Sequence, residues 1–124
     1  MRLIIDDAPQ DFSLECFLKR IGYIDKAHDS TIPLKIFKVF LDEKSHTPEE
    51  ITEKISVSKP TVYRHIKKLT DTGLLKTYRK KYKVYYQLNG NLSQAWEMAL
   101  LKIIHTLDYY SYVLERMKVG AENE

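Results

Sequence analysis

"ISVSKPTVYRHIKKLTDTGLLKTYRKKYKVYYQL", Ile55 to Leu88, is the stretch from which the fold is read. Ser58 and Pro60 precede an apolar stripe of Val62, Ile66 and Leu69, spaced four and three, which predicts a helix with Ser58 at its N-cap. Gly73 predicts its left-handed C-cap. Two alternating runs follow, Leu75, Thr77 and Arg79 outward and Val84, Tyr86 and Leu88 back. They predict a β-hairpin with Lys80 to Tyr82 between the strands, although that tip lacks the usual Gly or Asn-Gly.

Upstream, "SHTPEEITEKIS" carries Thr47 as N-cap, Pro48 at the first helical position and Glu50 three residues after the cap, a capping box that opens a short helix over about 48–55. "DSTIPLKIFKVFLDEK" predicts an earlier helix, capped by Ser30 or Thr31, with Pro33 in its first turn and an end near Glu43. Leu14, Phe17, Leu18 and Ile21 fall at helical spacing ahead of Gly22, and residues 2–6 read as either a short strand or an ordered arm. Downstream, Leu92, Trp96, Ala99, Ile103, Leu107, Tyr110, Leu114 and Met117 recur at steps of 4, 3, 4, 4, 3, 4 and 3. A helix within 92–119 follows, of about 26 residues and ~39 Å and ended by Gly120, with 120–124 as a disordered tail. The expected organisation is an arm and helix over 1–28, a helix-and-hairpin unit over 29–90 and a terminal helix over 91–119.

The composition sets bounds on function. A chain of 124 residues with 44% hydrophobic and 30% charged residues is expected to form one core, and its longest apolar runs are too short to cross a bilayer. The N-terminus lacks the apolar core of a secretory signal, and Cys16, the single cysteine, allows no internal disulfide. A cytoplasmic, nucleoid-associated protein is expected. Between Ser58 and Lys83 nine basic residues stand against one acid, Asp71, a net of +8; the remainder, with eleven basic and sixteen acidic residues, carries −5. Such a local field points to a polyanionic partner.

A short capped helix, a tight turn at Ser56-Val57, a helix with a basic outward face and a basic hairpin make a winged helix-turn-helix, mainly α with a small β-hairpin. With Val62, Ile66 and Leu69 inward, the other side carries Ser58, Lys59, Pro60, Thr61, Tyr63, Arg64, Lys67 and Lys68. Arg64 suits a bidentate contact to guanine, Thr61 and Tyr63 a base or phosphate, and Lys67 and Lys68 phosphates. A solvated face is the ordinary fate of a charge run, but the near absence of acids over 26 residues argues against it here. In the hairpin, Arg79, Lys80, Lys81 and Lys83 are the expected backbone contacts. Tyr86 is expected in the core, while Tyr78, Tyr82 and Tyr85 alternate to the other side, where an aromatic body can lie along a sugar while its hydroxyl reaches a phosphate, although β-propensity alone also explains tyrosines.

"ISVSKPTVYRHIKKLTDTGLLK" resembles the helix-turn-helix core of the ArsR and MarR type winged-helix transcription regulators, in the series Ser58, Thr61, Val62, Arg64 and His65, the Leu69 anchor and the Gly73-Leu74 ending. "DSTIPLKIFKVFLDE" resembles the preceding helix and "LLKTYRKKYKVYYQL" the wing, so the resemblance spans about residues 29–89. It implies a dimeric, sequence-specific regulator of a roughly palindromic double-stranded DNA site. The tyrosine-rich final helix is similar to the dimerisation helix of small archaeal winged-helix regulators.

That final helix either packs on its own domain or pairs with a second copy. Its near-3.5 period over almost four heptads favours a homodimer through Leu92, Trp96, Ala99, Ile103, Leu107, Tyr110, Leu114 and Met117. A metal site is not indicated: His105 and Asp108 are three apart, but no Asp-x-His or Cys-x-Cys accompanies them. His65 reads as a phosphate contact or a partly buried spacer and Cys16 as a core residue. No phosphate loop, nucleophile elbow or His-Glu metal motif supports an enzyme, and no cofactor is indicated. Two other readings stay open: an architectural protein using the same basic surface without base readout, and a winged-helix module that binds another protein.

Overall fold

Thr47 starts the helix with the clearest sequence signal. In the computed structural model, which describes residues 13–25 and 29–122, the Thr47 hydroxyl accepts the Glu50 N–H at 3.2 Å and the Glu50 carboxylate accepts the Thr47 N–H at 3.3 Å. The elements run α1 (Leu14–Arg20), α2 (Thr31–Val39), a 3-10 turn (Phe40–Asp42), α3 (Pro48–Ile55), α4 (Lys59–Thr72), β1 (Leu75–Lys80), β2 (Lys83–Leu88) and α5 (Leu92–Glu122). Segment 2–6, read as a strand or arm, lies outside the described residues. No helix is long and apolar enough to cross a membrane among the described residues.

Several local features differ from the sequence-based expectation. The first turn of α2 is held by Asp29, whose carboxylate accepts both the Thr31 N–H (2.9 Å) and the Thr31 hydroxyl (2.6 Å). Ser30 occupies the N-cap position without bonding the backbone; its hydroxyl instead donates to Glu15 of α1. The α-helix stops at Val39 rather than near Glu43, because the chain tightens into the 3-10 turn and Glu43 enters the left-handed region at φ 62°. At the other end of the chain, α5 runs through Gly120 to Glu122. A glycine ends a helix only when its backbone turns left-handed, as Gly22 (φ 85°) and Gly73 (φ 89°) do.

The core is shared by all the helices and the base of the hairpin. Leu18 of α1, Ile36 and Phe37 of α2, Ile51 of α3, Val62, Ile66 and Leu69 of α4, Leu75 and Leu88 of the hairpin, and Ala95 and Ala99 of α5 are buried together. The hairpin gains a third partner that no sequence pattern announced. His46 pairs with Tyr86 through two backbone bonds of 2.8 and 2.9 Å, which ties the wing to the start of α3. The His46 imidazole is fixed in turn by the Asp42 carboxylate at 2.9 Å.

Gly73 has two reasons to be glycine: its left-handed backbone, and the approach of α5, since a Cβ there would lie 3.2 Å from both Ala99 Cα and the Met98 carbonyl oxygen. Gly73→Ala is therefore expected to destabilise the fold by roughly 2 kcal/mol and to lower Tm by about 8 °C. A calorimetric shift below about 2 °C would show that α5 moves away freely.

Candidate nucleic-acid interface

The turn between α3 and α4 is sharp because Ser56 closes α3 in the left-handed region (φ 53°), with its N–H donating to the Thr52 carbonyl. Ser58 then occupies the N-cap position of α4, but its hydroxyl donates to Thr61 Oγ1 at 2.8 Å and makes no cap bond to the backbone. The first turn of α4 thus has no side-chain cap, which corrects the expectation that Ser58 supplies one.

Val62, His65, Ile66 and Leu69 turn inward, while Ser58, Lys59, Pro60, Tyr63, Arg64, Lys67 and Lys68 are exposed and Thr61 is half-buried. Pro60, Tyr63, Arg64, Lys67, Thr70 and Asp71 form one wall of an open groove of about 520 Å³ whose other wall is Thr77 and Tyr86 of the hairpin. Four of the expected contact residues thus share one concavity. Lys68 faces away from it on the same helix, and Lys59 is held at the α3 side.

Sequence reasoning did not find what holds Lys59. Glu49 of α3 accepts the Tyr63 hydroxyl at 3.2 Å and sits 3.1 Å from the Lys59 ammonium, which itself lies 5.8 Å from the centroid of the Tyr63 ring. Hydrogen bonding from its own backbone N–H, and then from Lys59, holds the Glu49 carboxyl below the usual carboxylate range. Desolvation, and then the hydrogen bond to Glu49, pushes the Tyr63 phenol up. A charged carboxylate therefore anchors the two side chains that open the exposed face of α4. The "PEE" start of α3 signalled only a helix N-terminus.

The hairpin forms with Lys80 opposite Lys83, so its tip is two residues, Lys81-Tyr82, and not the three expected. Lys81 takes φ 59°, the left-handed conformation that a glycine would normally supply. Arg79, Lys80, Lys81, Tyr82 and Lys83 are all exposed. No acidic residue occurs between Asp71 and Glu97, so the wing meets solvent as an uncompensated cation.

His65 is buried, edge-on to Tyr23 at 5.8 Å between ring centroids, and its Nδ1 has no hydrogen-bond partner. It is therefore no phosphate contact. Burial, and then the charges of Lys68 and Arg64, lowers its pKa from 6.5 to about 4. Because the folded value lies below the unfolded one, the chain loses stability as pH falls from about 6.5 toward about 4 and the loss levels off below that. His65→Gln should flatten the fall in the urea midpoint over that window; an unchanged slope would assign it to the carboxylates.

On α5, Ala95 and Ala99 are fully buried in the chain's own core, and Trp96 packs edge-on against Phe17 of α1 at 5.5 Å. Ala99 is therefore unavailable to a second copy, because the close approach of Gly73 consumes it. Beyond this point Leu107, Tyr110, Leu114 and Met117 are exposed, with Ile103 half-buried and Leu92 exposed at the helix start. Among the described residues no group of three or more His, Cys, Asp or Glu side chains could hold a metal ion.

Residues 32–78 match the sequence model of a family described as "Helix-turn-helix domain". The chain is similar in structure to a "possible transcriptional regulator" from Methanosarcina mazei Go1, at TM-score 0.57 and 21% identity over 90% of this chain and 94% of that one. It is also similar, at TM-score 0.49 and 20% identity over 81% of this chain and 91% of that one, to a fragment from Mycobacterium bovis. That fragment is described as a "homodimeric winged helix-turn-helix DNA-binding domain" of "a possible ArsR-family transcriptional regulator". No curated protein matches the sequence.

Proposed function

We propose that this chain, whose residues 32–78 match a helix-turn-helix domain model within a winged-helix fold, is a sequence-specific, double-stranded DNA-binding transcription regulator that acts as a homodimer. The matched helix-turn-helix model and the winged-helix fold support a DNA-binding regulator rather than an enzyme. One observation carries the proposal: Arg64 and Lys67 line an open groove between α4 and a wing that bears basic residues and no acid. In that arrangement α4 enters the major groove and the wing follows the backbone toward the neighbouring minor groove. Arg64 reads a base edge. Lys67, Lys68, Arg79, Lys80, Lys81 and Lys83 meet phosphates, and the uncapped first turn of α4 offers backbone N–H groups to another. The second copy supplies the second half-site reader, joined through the exposed part of the α5 stripe.

The test is binding of the purified protein to a duplex from its own upstream region and to a random duplex across a salt series. A preference of at least about 10³-fold for the upstream duplex, with affinity falling steeply in log salt, supports a specific regulator. Equal, salt-sensitive binding to both supports an architectural protein, and no binding to either sends the basic face to a protein partner.

Glu49 gives a further prediction. Glu49→Gln removes the charge that holds Lys59 while keeping a hydrogen-bond partner for Tyr63, so Lys59 becomes free to neutralise a phosphate. The slope of log affinity against log salt should steepen by about 0.9, and random DNA should gain affinity relative to the specific site. An unchanged slope would show that Lys59 already leaves Glu49 when the wild type binds.

A further inference from the structure

The hairpin has a second outward face that the groove does not use. Thr77 and Tyr86 line the groove, and Arg79 pairs with Val84 on that same face of the ladder. On the opposite face the cross-strand partners are Lys76 with Gln87, Tyr78 with Tyr85, and Lys80 with Lys83. The Tyr78 and Tyr85 rings lie nearly parallel, 14° apart with centroids at 5.4 Å, and Tyr78 is exposed.

Two features of this face work against folding. Like charges directly opposite each other on paired strands are destabilising, and Lys80 and Lys83 are so placed. Lys81 beside them adds a third charge at a backbone conformation that disfavours every side chain. No acid in the hairpin offsets either cost. An anion outside the chain would relieve the charge repulsion. A stacked aromatic pair with one ring exposed and lysines beside it matches one class of anion: an unpaired nucleotide strand, a base of which stacks on the exposed ring while a phosphate meets an ammonium group. A duplex, with its bases already stacked on each other, offers no free base to the tyrosine rings.

We propose that this outer face of the wing binds single-stranded DNA, with a base stacked on the exposed ring of the Tyr78–Tyr85 pair and a phosphate on Lys76, while Lys80 and Lys83, which the duplex backbone also meets, mark where the strand leaves the duplex. The choice of DNA over RNA rests on the assignment of the adjacent groove to duplex DNA, because a frayed or melted strand beside the bound duplex is then the single strand within reach. The face is sequence-tolerant, since every base has a π-face to stack.

The test measures anisotropy of labelled oligothymidylate, oligouridylate of equal length and the upstream duplex with three proteins: the wild type, Tyr78→Ala/Tyr85→Ala and Tyr78→Phe/Tyr85→Phe. The wild type should bind oligothymidylate at least as tightly as oligouridylate. The alanine pair should weaken oligothymidylate by about 10-fold to 100-fold while leaving the duplex within about 3-fold, and the phenylalanine pair should keep the wild-type affinity. Absence of oligothymidylate binding, an equal loss on the duplex, a phenylalanine pair as weak as the alanine pair, or a preference for oligouridylate would each overturn the proposal. Failure of the wild type to bind the duplex while still binding oligothymidylate would instead remove the duplex assignment of the groove.

Discussion

With Leu107 and Leu114 both replaced by glutamate, the chain is expected to sediment as a single 14.6 kDa species. Its affinity for a duplex with two half-sites should fall by at least about 10²-fold, while its affinity for one half-site stays unchanged. The expectation follows from how far α5 outruns its own domain. Thirty-one residues make a helix of about 46 Å, yet full burial against the core ends at Ala99. The stripe does not end there: Leu107 is 60% exposed, Tyr110 57% and Leu114 64% in the single chain. Contiguous apolar surface of this kind on a water-facing helix marks a binding site. Glutamates at two positions of a self-complementary seam would oppose their own copies, and each would have to be buried unpaired. Ala95 and Ala99, which fasten α5 to the core, are left untouched, so the winged helix itself should keep its Tm. A variant that stays dimeric would move the interface to the other face of α5, where Leu101, Ile104 and Tyr112 are also exposed. One that loses half-site binding as well would show that α5 supports α4 and does not join two copies.

Legibility in the sequence followed the locality of the interaction. The capping box at Thr47 and Glu50, the left-handed stop at Gly73 and the stripe of Val62, Ile66 and Leu69 involve residues at most four apart, so a residue pattern specifies them, and the structure has all three. The alternation over 75–88 likewise placed Leu75, Tyr86 and Leu88 on one face. What escaped depends on residues brought together by the fold. The His46–Tyr86 bridge joins a loop to a strand forty residues later, with one pair and no periodicity to betray it. Glu49 reads as an ordinary first-turn acid until α4 folds back over it and brings Lys59 and Tyr63 within reach. Ala99 shows the opposite error. It fits the heptad of a dimer seam perfectly well, but Gly73 approaches so closely that only a small side chain fits, and the chain's own core takes it. Periodicity shows which side of a helix is apolar; it does not show which partner covers that side.

Arg64→Ala is expected to cost about 1–3 kcal/mol on the specific duplex, roughly 5-fold to 150-fold in Kd, and to relax the preference at one base pair. Lys81→Ala, by contrast, should weaken all sequences alike and reduce the salt slope by about one. Arg64 differs from the wing residues in its surroundings. It lies in the groove wall between Pro60 and Lys67, on a helix held by Val62, Ile66 and Leu69 in the core, so its guanidinium starts from a rigid platform. Lys81 sits on a two-residue tip that projects into solvent, where a flexible ammonium can follow any backbone. The same groove contains Asp71, which disfavours a phosphate at the C-terminal end of α4 and biases the duplex toward meeting that helix through base edges. Together these features predict a mutational pattern that a non-specific cationic surface cannot produce. In titrations against the upstream duplex, a one-base variant of it and random DNA, Arg64→Ala should erase the difference between the first two and barely change the third. Equal losses on all three would make Arg64 one more phosphate contact and leave base readout to Thr61 and Tyr63.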